Sequence, residues 1–181
     1  MGLQIEDGAG GSAGARVTKD NMLRVYAQVE SEISHTSENY EDSYVWTASK
    51  NIDATDSIIW LRNDSTSMKL IIECISVGSD VAGSWFIYSP TGTTADGDTI
   101  TGVNLNIGSG RSASATCRSD ATGTTPAKYL FYGSNIASET IQVNFHGALI
   151  LGYLDEVAVD YTTEPALAQA TIFGYYHSIE K

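Results

Sequence analysis

An all-β fold, an antiparallel β-sandwich or barrel preceded by an extended N-terminal arm, is what this chain predicts, on three observations. Two apolar runs in residues 57–77 flank a polar pentapeptide, many short β-rich segments alternate with turn chemistry, and residues 1–15 are dominated by Gly, Ala and Ser. Short strands at close spacing, with no long amphipathic helix among them, build sandwiches and barrels.

The central stretch is the most informative. Ser57-Ile58-Ile59-Trp60-Leu61-Arg62 is rich in β-branched and aromatic residues, Asn63-Asp64-Ser65-Thr66-Ser67 is turn chemistry, and residues 68–77 are apolar again. That pattern predicts a β-hairpin. Both runs are apolar on nearly every residue rather than on alternate ones, which places the hairpin centrally, covered on both faces.

In chain order, residues 1–15 pair Leu3 and Ile5 with a tract that favours neither helix nor sheet. Such a segment is an arm, either a frayed terminus with no role of its own or a tether whose Leu3 and Ile5 dock on another subunit and which orders on binding. Val17, Leu23, Val25, Ala27 and Val29 then alternate with polar residues that include Arg24 and Tyr26, giving a strand whose polar face meets solvent or a partner. The expected division is an arm over residues 1–18 and a β-sandwich domain over residues 19–181. Residues 31–42 are acidic and read as a loop or short helical turn. Tyr44-Val45-Trp46-Thr47-Ala48 is the next strand; Ser84-Trp85-Phe86-Ile87-Tyr88-Ser89 is another, stopped by Pro90. Residues 91–125 are turn-laden, with room for two short strands at 100–107 and 112–117. The apolar patch Lys128-Tyr129-Leu130-Phe131-Tyr132-Gly133 fits strand and helix equally. Alternation at 141–145 and 157–161 and an aromatic run at 170–177 give the closing strands.

A formal charge of −12, from 10 basic and 22 acidic residues, argues against nucleic acid as a partner, because Arg16, Arg24, Arg62, Arg111 and Arg118 are scattered rather than clustered. No apolar run approaches the ~20 residues of a membrane span, and the N-terminus has no basic-then-apolar signal, so synthesis in a cytoplasm is expected, with no membrane partner. Cys74 and Cys117 sit on expected strands without metal-ligand spacing and read as buried free thiols.

Each candidate for chemistry has a plainer reading. His35, His146 and His177 have no His or Cys neighbour at metal spacing. Asp96-Gly97-Asp98 is a turn signal without the ligand ladder of a calcium loop. Glu41 with Asp42, and Asp155 with Glu156, are adjacent pairs that point to opposite faces in extended chain. Gly108-Ser109-Gly110-Arg111-Ser112 lacks the Lys-Ser/Thr ending of a phosphate loop, and Ser134 lacks the second glycine of a nucleophile elbow. Asn63-Asp64-Ser65 matches a glycosylation acceptor that a cytoplasmic chain does not use. The residues therefore predict no enzyme, no metal and no cofactor. Three tryptophans and ten tyrosines point instead to a packed core, a subunit interface or a sugar-stacking surface. Tyr175 and Tyr176, consecutive on a strand, must face opposite ways, so one of them is expected outside at an interface; with Tyr26 they are the candidates for a subunit interface.

Gly2-Leu3-Gln4-Ile5-Glu6-Asp7-Gly8, a Gly-rich gap, and then Ala15-Arg16-Val17-Thr18-Lys19-Asp20-Asn21-Met22-Leu23-Arg24-Val25 resemble the capsid decoration, or cement, proteins of tailed bacteriophages. The resemblance extends over residues 57–77, the turn Ser89-Pro90-Thr91-Gly92-Thr93-Thr94, and the closing segments 149–161 and 168–177. It implies a jelly-roll sandwich, a homotrimer seated at three-fold positions on the outer capsid surface, and the major capsid protein as partner. It implies too that the arm residues Leu3, Gln4, Ile5, Glu6, Asp7, Arg16 and Val17 contact the shell. The location implied is the virion. The alternative is a head-fibre or tail-associated receptor- or carbohydrate-binding module whose tip is the loop segment 91–125.

Overall fold

The computed structural model describes residues 32–51, 56–92, 96–162 and 165–178. The expected arm over 1–18, with its shell-contact candidates Leu3 to Asp7, Arg16 and Val17, lies outside these residues, as do the strand expected within 16–30 and Tyr26.

The acidic segment 31–42 resolves as the short helix α1 (Glu32–Asn39). Strands follow: β1 (Ser43–Lys50), β2 (Ser57–Asn63), β3 (Met68–Ser79), β4 (Gly83–Thr91), β5 (Asp98–Thr99), β6 (Val103–Asn104), β7 (Ala115–Ala121), β8 (Thr125–Asn135), β9 (Thr140–Leu151), β10 (Glu156–Tyr161) and β11 (Ala168–Ser178). They form two antiparallel sheets, β6-β1-β11-β3-β9 and β5-β7-β2-β10-β4-β8. Setting β5, β6 and β7 aside, the first strand pairs with the last, the second with the second-last, and so inward: β1 with β11, β2 with β10, β3 with β9, β4 with β8. A chain paired in that nested way is one long hairpin rolled into two layers, which is the jelly roll.

This topology corrects the expected central hairpin. β2 and β3 do not pair; the turn between them carries the chain from one sheet to the other. Each run is nevertheless central in its own sheet, β2 between β7 and β10 and β3 between β11 and β9. Central strands are covered on both sides, so the continuous apolar pattern arises without a hairpin. Pro90 also lies within β4 rather than ending it, at a register shift opposite Pro126, where a missing N–H costs no ladder bond.

The core lies between the layers. Trp46, Ile58, Leu61, Ile72, Ile75, Trp85, Val157, Val159 and Ile172 are fully buried there. Trp85 lies flat on the Gly133 backbone of β8, in space that any side chain at 133 would occupy. Gly102 similarly covers Trp46, where a Cβ would stand 2.6 Å from the indole nitrogen. A second cluster, Trp60, Phe86, Tyr88, Ala121 and Ala158, occupies the outer face of the β2–β10–β4 layer.

Two buried asparagines tie turns to strands. Asn63 is inaccessible; its Nδ2 donates to the carbonyls of Met68 and Leu151, and its Oδ1 accepts the Ser65 amide. Its side-chain nitrogen is therefore committed to the fold and is closed to glycosylation in the folded chain. Asn135 donates to Ser79 Oγ and the Ile136 carbonyl, while its Oδ1 accepts the Tyr161 hydroxyl at 2.7 Å. Buried polar groups satisfied this fully fix the turns they bridge.

Candidate interaction surface

The segment 92–124, at the apex of the long hairpin, does not form a free tip over its described residues. β6 pairs along β1, β7 pairs along β2, and β5 pairs along β7, so the excursion closes one side of the sandwich. Polar ties hold it there: Asn104 donates to the Glu41 carbonyl, Ser109 donates to the Glu41 carboxylate at 2.7 Å, and Arg111 pairs with Asp42 at 3.1 Å. The residues read as a degenerate phosphate loop thus fasten the excursion to the segment before β1.

The opposite side is formed by β9 in one sheet and β8 in the other, joined by residues 136–139. These two edges differ. Along β9 the apolar Ile141, Val143, Phe145 and Leu149 turn toward the core and are half-buried, while Thr140, Gln142, Asn144 and His146 face out. The edge is then interrupted: residues 145–148 bulge opposite Glu73 alone, with His146 and Gly147 in left-handed conformation at φ 49° and 76°. Bulges of this kind block further strand pairing.

β8 buries only its last residue, Asn135. Tyr129, Leu130, Phe131 and Tyr132, in succession, are 50, 42, 39 and 62 % exposed. Tyr129 and Tyr132 lie on the outer face, their rings stacked at 4.8 Å, and both contact Phe86. Phe131 points the other way and stacks on the core Trp85 at 5.6 Å. The patch whose state the sequence left open is therefore an edge strand with apolar side chains exposed on both faces. That explains its missing alternation, since neither face is committed to a core or to water.

Other candidates serve the fold. Asp96 accepts the Gly97 amide at 2.8 Å, with Gly97 at φ 119°, as a turn requires. Asp56, Asp96, Asp98 and Asp120 border a cavity of about 270 Å3, and Lys50 pairs with Asp98. His35 and His177, remote in sequence, meet around a second cavity of about 360 Å3 beside Asp42 and Tyr176. Burial pushes the Asp42 carboxyl above its usual range, with Arg111 opposing the shift. Among the described residues no three His, Cys, Asp or Glu side chains are grouped to hold a metal ion. Asp155 accepts the Gly152 amide within a turn, and Glu156 accepts the Trp60 indole N–H at 3.1 Å. Cys74 and Cys117 are free and buried, as expected, and burial raises both thiols.

Tyr175 and Tyr176 depart from expectation, for both are only 4 % exposed. Tyr176 packs in the core edge-on to Tyr44. The β9 bulge reaches over Tyr175, with a Cβ at Gly147 falling 3.5 Å from its hydroxyl.

Asp160 is the ionisable group that sequence reading missed. It is 9 % exposed, stands opposite Phe86 on the outer face of β10, and accepts the Tyr161 amide at 2.7 Å. Burial, against that hydrogen bond and reinforced by the charge of Asp56, raises its carboxyl to about 7. An Asp within an apolar strand pattern was the signal available.

No protein-family model, curated protein or solved structure matches this chain.

Proposed function

We propose that the chain is a virion structural protein, a capsid decoration or cement protein that binds the outer capsid surface as a trimer and stabilises the shell. One observation carries the reading: a jelly-roll body, closed along one side by its own excursion and pinned at its turns by Asn63 and Asn135, is joined in sequence to a Gly/Ala/Ser-rich segment of arm composition. A rigid body and an adaptable arm are the parts a clamp needs. Three arms seated together convert weak single contacts into firm attachment through effective concentration. The resemblance at residues 2–8 and 15–25 supports the assignment of the arm to the shell and of the major capsid protein as partner.

Asp96 and Asp155 serve turns, and Ser109 and Arg111 fasten the excursion to Glu41 and Asp42, which supports a role without chemistry. In the receptor-binding alternative the 91–125 segment would be a glycan-facing tip; the pairing of β5, β6 and β7 along the sheet edges favours the clamp instead. Deletion of residues 1–15 tests the assignment. The truncated protein is expected to stay folded and lose binding to capsids; undiminished capsid binding refutes the arm's role, and glycan or host-cell binding that survives the deletion but is lost on substitution in the 91–125 loops would transfer the function to the alternative.

A further inference from the structure

We infer that the β8 edge is a self-association surface, at which Tyr129, Leu130 and Tyr132 pack against a second copy of this chain. Three observations converge on that occupant. The first is location: one side of the sandwich is closed by β6 and β5–β7, and β9 is closed by its polar face and bulge, which leaves β8 as the unfinished edge among the described strands.

The second is shape. Apolar side chains are exposed on both faces of the same strand, Tyr129 and Tyr132 outward and Phe131 inward against Trp85. A flat ligand stacked on the tyrosine pair covers one face, whereas a folded neighbour that receives the whole edge covers both. The third is charge. The protein carries −12, so two copies repel unless they meet where charge is sparse. Between Ala121 and Leu154 only Lys128 and Glu139 carry a formal charge, and this neutral window contains β8 and most of the exposed large apolar residues, Ile136, Ile150, Tyr153 and Leu154 among them. A strongly acidic chain whose β8 edge carries a single charge, Lys128, fits a second copy of itself at that edge better than a charged partner.

The contact is made by side chains and does not extend the sheet. Pro126 lacks an N–H, and register shifts occur on both sides of Lys128, at residues 127 and 130, so the first half of β8 cannot present a regular ladder. In a trimer the three β8 edges would converge on the symmetry axis. This goes beyond the proposed function by naming the subunit contact, and it is tested in solution without capsids, so that shell binding and self-association can fail separately.

The experiment is sedimentation equilibrium of the full chain, wild type against L130E/Y132E, with Ile107→Glu as control; Ile107 is 94 % exposed and lies in the excursion on the other side. The expected result is an oligomeric wild type and control, and a double variant at least ~30-fold weaker in self-association, the loss typical of two central interface residues. Circular dichroism monitors folding. Hydrogen exchange of the wild type, which needs no variant, should show amides in the 129–136 region losing protection on dilution. A monomeric wild type, a folded double variant that associates as tightly as wild type, or protection changes confined to other strands would overturn the inference.

Discussion

Replacing Asp160 by asparagine should stabilise this protein at alkaline pH and do little at acid pH. The carboxyl lies on the outer face of β10, among Phe86, Tyr88 and Asp56, and burial raises it from 3.8 to about 7. Because the folded-state value is above the unfolded one, the folded protein holds the proton more tightly. Its contribution to stability is fully present below about pH 4 and is lost as pH rises through about 7. The ionised form is disfavoured by about 4 kcal/mol at the limit, at about 1.4 kcal/mol for each tenfold change in proton affinity. Asparagine keeps an oxygen to accept the Tyr161 amide at 2.7 Å and cannot ionise. Urea denaturation of both proteins at pH 5 and pH 9 measures the effect: part of the difference is already present at pH 5, above the unfolded-state value, and it should grow by a further ~3 kcal/mol by pH 9. Curves that stay parallel across this range, or a variant less stable at pH 9 than at pH 5 relative to wild type, would refute the placement of Asp160 in a poorly solvated site.

Two further substitutions probe the packing. Asn135→Leu leaves the Tyr161 hydroxyl, the Ser79 hydroxyl and the Ile136 carbonyl without their shared partner and should cost ~2–4 kcal/mol, read from the denaturation midpoint, whereas Asn135→Asp should recover part of the loss by keeping the acceptor. Gly133→Ala forces a methyl into the Trp85 ring and should cost ~1–3 kcal/mol together with a change in tryptophan fluorescence.

The sequence revealed the strands more readily than their partners. β2 and β3 were legible because β-branched and aromatic residues surround Asn63-Asp64-Ser65-Thr66-Ser67, yet that pattern does not distinguish a hairpin from a turn between sheets. Nested pairing is set by contacts between residues far apart, such as Trp46 opposite Ile172, which local propensity does not encode. Periodicity was equally silent at Tyr129–Tyr132, where both faces are apolar and exposed. It misled at Tyr175, whose ring is buried with its hydroxyl beside the β9 bulge, a feature built on left-handed residues at His146 and Gly147 that are unremarkable as letters. The roles of Asn63, Asn104 and Asn135 were hidden for a related reason: turn chemistry marks where such residues sit, and burial decides what they hold.

The most direct test of the central claim is co-sedimentation of the purified protein with expanded bacteriophage capsids that lack a decoration protein, titrated to saturation and followed by imaging of the shells. The capsid-decoration account predicts saturable binding, with density at three-fold positions on the outer surface. A folded protein that leaves those shells bare at every concentration would contradict it.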